Sequence, residues 1–450
     1  FYYKTFMFPR VAWARLFEPI VRQSAGLGRV PKERDADRYE HFYAHVDVLV
    51  IGGGVAGLAA ARAAASTGAK VLVLEQTAHW GGRAPVDGGE VDGMPVEDWI
   101  EKTVEELENM GNVTLRKRIM GAGVYDHGYA IGYERVADHM PGDGRPRHRL
   151  CVSAGDRVVV VTNNDDAYRT ALEVHKAGLA VPVIVDAREV ANGPLAEAAR
   201  AAGIRVETGR GIAKVHGYKS VTGVSISAQA GSGAALERIN CDAVAMSGGW
   251  SPVVHLWSHC GGKLIWDEAQ AHFRPDPDRA PTSHDGKGFV VTAGSASGAL
   301  VLADVLADAH AAGKVAGKAA GGKTSSAKAP EAEAETMQPL EPVWIMPHGA
   351  GPDKRMKMWL DFQNDVKVSD VQLAAREGYE SVEHTKRYTT LGMANDQGKL
   401  SNINGLAVLS EALNQEIPST GTTTFRPPYT PISFGAIAGE ARHELFQPVR

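Results

Sequence analysis

The chain has 450 residues, enough for two or three domains with cores of their own. Its net charge is −5 without a long block of like charge, which argues against a nucleic-acid partner, and no apolar run approaches the ~18 residues of a membrane span. Three cysteines, Cys151, Cys241 and Cys260, form no C-x-x-C pair; that excludes a disulfide relay or cysteine-ligated iron–sulfur cluster and, with no signal-peptide pattern, fits a reducing, cytoplasmic setting.

Residues 1–46 are aromatic and basic at the start and charged from Lys32 to Glu40. They have no clean period and read either as an arm that packs across another domain or subunit or as an ordinary surface loop and helix. The stretch from Asp47 to Glu75 is different. A short apolar run, Asp47 to Ile51, has the look of a buried parallel strand. Gly52, Gly54 and Gly57 then give G-x-G-x-x-G, with Gly53, Val55 and Ala56 between them. An alanine-rich helix follows and ends at Gly68, and a second strand, Val71 to Leu74, delivers Glu75. Strand, glycines, helix, strand and acid together are the dinucleotide fingerprint. Gly52 permits the turn, Gly54 lets a pyrophosphate reach the backbone, and Gly57 lets helix and strand touch. The helix start faces the anion. Glu75, with Gln76 next to it, is placed to accept hydrogen bonds from ribose hydroxyls and to repel a 2′-phosphate, favouring NAD or FAD over NADP.

After Glu75, the pair Gly81-Gly82 predicts a turn beside the cofactor, with Arg83 offering a charge to the pyrophosphate. A helix is expected over Pro95–Met110, with Trp99, Val104 and Leu107 inward, then a strand from Val113 to Ile119. Tyr125 to Val136 reads as a hairpin and Pro141 to Gly144 as a turn. Arg157–Val161, Arg169–Lys176 and Val181–Val185 have the layout of a second βαβ unit. Its loop is Asn163-Asn164-Asp165-Asp166, without glycine and with two acids that repel phosphate, so this unit reads as one that has lost its ligand.

A helix at Leu195–Ala202 and strands at Ile204–Glu207, Val221–Ala228 and Cys241–Met246 come next. His255 and His259 stand four apart, but no third ligand has suitable spacing, so a helix end is preferred to a metal site. A strand at Gly288–Thr292 should lead into the small-residue turn at Gly294, a last cofactor contact. Ala312 to Pro342 is rich in Gly, Ala, Lys and Glu and reads as a linker. Ser369 to Gln372 reads as a capping box, with Val368 and Leu373 as its staple. Beyond it, Lys386, Arg387, Thr389, Thr390, Gln397 and Lys399 crowd into one turn-rich stretch suited either to gripping a phosphate or a flavin edge or to forming a solvated basic face. Phe425 to Pro431 is stiff and extended, suited to a partner surface.

The fold class expected is therefore α/β: a two-dinucleotide-domain Rossmann fold of the FAD/NAD(P)-binding, disulfide-reductase type, followed by a small, mostly helical domain. Residues 47–150 and 241–311 would form the first nucleotide domain and 151–240 the degenerate second. Residues 312–342 would be the linker and 343–450 the helical domain with its tail.

Several long stretches together resemble the alpha subunit of heterotetrameric sarcosine oxidase: Phe1–Pro9, Asp47–Arg83, Arg118–Met140, Val160–Tyr168, Ser247–Leu256, His384–Lys399 and Arg426–Gly435. The resemblance implies an NAD-binding chain that works with beta, gamma and delta subunits. It implies that sarcosine is oxidised by oxygen to glycine, hydrogen peroxide and a one-carbon unit. FAD in the beta subunit would take the amine's electrons and pass them to FMN shared between alpha and beta. A C-terminal domain, absent from this chain, would use tetrahydrofolate. The resemblance places Lys386–Lys399 where relatives hold an iron–sulfur cluster, here facing FMN instead. It also implies a missing N-terminal portion and a missing segment between Leu150 and Cys151. No amine-oxidising base or covalent flavin anchor is evident, so the catalytic residues are expected on another chain. Two other readings stay open: a cofactor-bearing assembly scaffold, and a related NAD/FAD-dependent oxidoreductase subunit of the opine or amino-acid dehydrogenase type.

Overall fold

The structure, a computed structural model, describes residues 8–24, 38–125, 128–137 and 155–439. The turn expected at Pro141–Gly144 and the Leu150–Cys151 junction lie outside the described residues. The chain divides into two units, Phe1–Ala44 with Pro431–Arg450, and His45–Thr430. In the smaller unit Ser433 caps the helix Phe434–Ala438 by accepting from the Ala436 N–H. His41 Nε2 lies 2.8 Å from the Ala436 carbonyl, and Tyr39 packs on Gly435. The expected N-terminal arm and the expected tail of the helical domain thus pack together here.

The larger unit begins with β1 (Val48–Ile51), α1 (Val55–Ala65) and β2 (Val71–Glu75). Then come α2 (Val96–Glu108) and β3 (Val113–Lys117). The three strands are parallel in the order β1-β2-β3. Leu58, Ala61 and Ala64 of α1, Val71 and Val73 of β2, and Trp99 and Leu107 of α2 meet in one core. The hairpin foreseen at Tyr125–Val136 starts earlier. Its strands are β4 (Ile119–Val124) and β5 (Ala130–Glu134), and Tyr125 begins the turn. Gly121, Gly123 and Gly132 broke the alternation that would have marked these strands in the sequence.

The second nucleotide-type unit holds β6 (Val158–Thr162), α3 (Asp166–Lys176), β7 (Ile184–Asp186), α4 (Pro194–Ala201) and β8 (Val206–Glu207). An antiparallel sheet follows, built from β9 (Arg210–Gly217), β10 (Val221–Ala228) and β11 (Glu237–Ile239). β9 was not foreseen, because a bulge between Ile212 and Lys214 breaks its period. β12 (Ala243–Ser247) pairs in parallel with β6, giving the order β8-β7-β6-β12. This strand was expected in the first nucleotide domain; it closes the second sheet instead. After it come the short helix α5 (His255–His259) and the long helix α6 (Leu302–Ala319). The strand expected at Gly288–Thr292 is reduced to one isolated bridge, Thr282 to Gly288.

The linker reading needs the largest correction. Residues 312–319 are the last turns of α6, packed on α1. A Cβ on Gly313 would lie 2.2 Å from the Ala60 carbonyl oxygen, and one on Gly317 would lie 2.7 Å from the Thr67 side chain. The spaced glycines are a helix-crossing stripe, not a flexible repeat. Residues 323–342 are tied down as a strap. Lys323 N–H donates to the Thr67 carbonyl, Asp92 N–H to the Glu331 carbonyl, and Ala332 bridges Val91. Apolar content was the wrong guide, because main-chain hydrogen bonds hold this segment.

The C-terminal module contains α7 (Val368–Arg376), α8 (Val382–Thr389) and α9 (Asn402–Leu413) around Val368, Val371, Val382, Leu391, Leu406 and Leu409. The cap lies two residues earlier than expected: Asp370 accepts from the Lys367 N–H at 2.9 Å. Ser369 is inside the first turn, and Leu373, 38% exposed, staples nothing.

Replacing Gly313 by leucine should push α1 and α6 apart and destabilise the fold by about 1–3 kcal/mol. A lower urea midpoint at unchanged slope checks this. Lys314→Leu, one position on, serves as the control.

Candidate functional site

β1 turns into α1 within three residues. Gly52 has φ +105°, and its N–H donates to the Leu74 carbonyl at 2.8 Å. The Gly53 N–H donates to Glu75 Oε2 at 2.7 Å, and the Thr77 N–H donates to Oε1 at 2.7 Å. Glu75 is 5% exposed. Its carboxylate is therefore held by main chain on both oxygens and braces the turn. A carboxylate offers about four acceptor positions, so capacity remains for ribose hydroxyls.

Gly54 precedes α1 in extended backbone, and no side chain caps the helix. The N–H groups of the first turn, at the positive end of the helix, are left for a ligand. The two outer glycines do different work. A Cβ on Gly57 would lie 1.8 Å from the Gly52 carbonyl oxygen, so strand and helix cannot pack with a side chain there. A Cβ on Gly54 would meet nothing in the chain closer than 3.8 Å. Folding does not require a glycine at Gly54; the open space above the helix start does.

Val55 is buried in the core behind the loop. Ala56 touches Gly294, where a Cβ would lie 2.6 Å from the alanine methyl. Gly294 has φ +60°, and its N–H donates to Asp308 Oδ2 at 2.7 Å, which also accepts from Ser297 Oγ at 2.6 Å. Asp308 of α6 thereby pins Gly294 at the first turn of α1. The Gly81 N–H donates to the Gly53 carbonyl at 2.8 Å, and a Cβ on Gly82 would lie 3.2 Å from Gly54 Cα. Trp80 lies flush on Gly53, where a Cβ would lie 2.4 Å from its indole. Trp80 and Asp308 were missed from sequence; nothing but the neighbouring Gly81-Gly82 pair pointed to either.

The structure thus gathers Gly52 to Gly57, Glu75, Gly82 and Gly294. It does not bring Arg83 or Gln76 in with them. Arg83 donates to Asp87 at 2.6 Å and lies over the Trp250 ring at 3.8 Å. Gln76 is exposed, and its carbonyl accepts from Arg135.

The stretch from Lys386 to Lys399 is divided. Lys386 and Gln397 line a cavity of about 40 Å³ with Thr423, Phe425, Arg426 and Tyr429. Lys399 sits 3.8 Å over the Tyr429 ring and donates to the Tyr429 carbonyl at 3.0 Å. Burial pulls the Lys399 ammonium below its usual range and pushes the Tyr429 phenol up to about 12. Arg387 points to Glu383 at 3.9 Å, the Thr389 hydroxyl donates to the Thr385 carbonyl, and Thr390 ends α8 in the left-handed region. Tyr429 also stacks on His255 with centroids 4.6 Å apart, and His255 meets His259 edge-on. These two histidines join Tyr429, a lining residue of the cavity, in one aromatic layer.

Comparison with known proteins gives the family and the fold. The model for the sarcosine oxidase A3 domain matches residues 355–440, and the model for FAD dependent oxidoreductases matches residues 47–244. Sarcosine oxidase subunit alpha of Rhizobium meliloti (strain 1021) is 36% identical over 494 aligned residues, covering 100% of this chain and 48% of the relative. That of Corynebacterium sp. (strain P-1) is 35% identical, covering 94% and 48%. The chain belongs to the sarcosine oxidase alpha-subunit family. It spans about half the length of the curated relatives it matches. Its fold is also that of L-proline dehydrogenase from P. horikoshii, with a TM-score of 0.63 at 18% identity, covering 90% of this chain and 81% of that one. The two-dinucleotide fold followed by a small helical domain is thus established. The match to the FAD dependent oxidoreductase model spans the first βαβ unit and most of the second nucleotide-type unit. Among the described residues no helix is long and apolar enough to cross a membrane.

The layer behind the cavity carries a pH signature. Burial, with smaller contributions from His259 and Lys399, holds His255 down to about 4 against an ordinary 6.5. Between these values the unfolded chain binds the proton and the folded chain does not, so stability rises with pH. The fold should lose up to about 3 kcal/mol as pH falls from 6.5 to 4. His255→Phe should flatten that part of the stability–pH curve measured by urea unfolding.

Proposed function

We propose that this chain is the nucleotide-binding subunit of a sarcosine-oxidising complex, and that it binds NAD at the Gly52–Gly57 loop. The observation that carries this reading is the uncapped start of α1: free N–H groups, open space over Gly54, and the Glu75 carboxylate braced alongside. These residues fit an adenine dinucleotide. Main chain would take the pyrophosphate, Glu75 the ribose hydroxyls, and Gly82 and Gly294 would keep the walls low. Glu75 would exclude a 2′-phosphate by charge and by lack of room, since its position is fixed from behind by two N–H groups.

The cavity at Lys386, Gln397 and Arg426 supports the second half of the reading. At about 40 Å³ it is far below the roughly 300–1,000 Å³ of an enclosed cofactor pocket. It fits one edge of an FMN whose remaining surface a beta subunit covers. Lys386 and Arg426 would offer charge to the phosphate or the flavin edge, with Gln397 as a hydrogen-bonding partner. When bound, FMN supplies electron transfer to oxygen. Lys386, Gln397 and Arg426 would position it, over Tyr429, which is backed by its ring contact with His255. Amine oxidation is assigned to FAD in the beta subunit, and the one-carbon unit to formaldehyde or to tetrahydrofolate on a further domain. Gamma and delta subunits would complete the heterotetramer, in the cytoplasm.

A competing reading places FAD at the same loop, as the description of the family model matching residues 47–244 suggests. Extraction decides between them. The protein purified without its partner should release NAD and show no flavin absorbance, and with its partner it should gain FMN. Gly54→Val should lower nucleotide content at least tenfold while costing the fold no more than about 1 kcal/mol. Full nucleotide content in that variant, or FAD in the lone chain, would overturn the assignment. Lys386→Ala with Arg426→Ala should lower FMN content of the complex and leave NAD unchanged.

A further inference from the structure

The second sheet has a place for a nucleotide. β6 leads through α3 to β7 on one side and has β12 on the other, so its carboxyl end is a topological switch point. In open α/β sheets ligands bind in the crevice outside that end. Here the strap lies in it. The Asn163 side-chain amide donates to the Glu341 carbonyl at 2.8 Å, and the Glu341 N–H returns a bond to the Asn163 carbonyl at 3.3 Å. The Gln338 N–H donates to Asp165 Oδ2 at 2.8 Å, at the start of α3. Leu340 reaches Gly249, just past β12, where a Cβ would lie 3.0 Å from the leucine. The strap therefore contacts the ends of both strands that flank the switch point and the helix start between them.

The anchor beneath it is buried and charged. Asp165 is 2% exposed and accepts from Arg188 at 2.8 Å, and Arg188 also donates to the fully buried Asp186 at 2.7 Å. Asp186 accepts in addition from the Tyr168 hydroxyl at 2.8 Å. Arg188 is thus already committed to two carboxylates. The cleft left beside the strap is walled by Val190, Pro339 and Leu340 and carries Glu189 and Glu341, with Arg188, already paired to two carboxylates, as its one cation among the described residues. Its charge repels phosphate.

We infer that residues 338–341 are a tethered plug, held in the crevice where a second dinucleotide would lie, so that this chain takes one dinucleotide. The acids of the Asn163–Asp166 loop, which would repel a pyrophosphate, are the plug's receptors: Asp165 for the Gln338 N–H directly, and for Arg188 beneath it. The longer strap that carries the plug also ties three modules, since its Glu331 N–H donates to Asp92, its Gln338 and Glu341 bond the second unit, and it leads on to Ile345 in the C-terminal module's core.

Amide hydrogen exchange and dinucleotide stoichiometry test this together. In the wild-type protein the Gln338 and Glu341 amides should be protected, and saturating NAD or NADP should leave that protection unchanged. Asp165→Asn should speed exchange at Gln338 at least tenfold. Because that variant also unbalances Arg188 and can misfold, Leu340→Gly with Asn163→Ala is the second probe, expected to speed exchange at Glu341 similarly. Equilibrium dialysis should give one NAD per chain, falling to none in Gly54→Val. Two dinucleotides per chain, or loss of Gln338 and Glu341 protection on adding one, would overturn the plug. No dinucleotide in the wild type would instead sink the NAD assignment, and the exchange data would still judge the plug.

Discussion

The contact between Gly57 and the Gly52 carbonyl is the constraint on which the rest of this structure depends. It lets α1 leave β1 at van der Waals distance from the strand, which points the helix start at the sheet's carboxyl edge. Every other feature of the candidate site is referred to that start. Glu75 reaches it from β2 through the Gly53 N–H, Gly81 through the Gly53 carbonyl, and Gly294 through Ala56. The helix cannot drift away, because its alanine face is locked against the glycines of α6. Small residues thus serve twice in α1. They bring the backbone close to a ligand on one end and close to another helix along one side.

The two nucleotide-type units show how the same topology is put to different uses. In the first, the acid at the end of β2 is turned inward to brace the loop, and the helix start is left open. In the second, the acid at the end of β7 is buried with Arg188 and Tyr168, and the loop acids receive the chain's own strap. Buried ion pairs of this kind contribute little net stability but are costly to break. Their arrangement here fixes where the strap runs. The nucleotide end and the helical end of the chain are consequently linked by an ordered segment with bonded stations along it.

The C-terminal module supplies a surface notch rather than a closed pocket. Lys386, Gln397 and Arg426 surround a space too small for a cofactor, beside Tyr429, which stacks on a His255 kept neutral by burial.

The first βαβ unit, its glycine loop and Glu75 were readable from residue order alone, because those depend on interactions between residues close along the chain. The second unit's strands and its poverty in glycine were legible for the same reason. Only the tertiary structure decided that Cys241–Met246 belongs to the second sheet, since strand order is set by pairing partners far apart in sequence. It alone showed that Gly313 and Gly317 are a helix contact and that 323–342 is a strap. Composition reports side-chain hydrophobicity, whereas those segments are held by close backbone approach and main-chain hydrogen bonds, which any residue can make. Arg83, Arg387 and Thr389 carried the right chemistry in the right stretch, but the fold turned them to Asp87, Glu383 and a helix carbonyl. Residue type was readable from sequence; side-chain direction required the packed molecule.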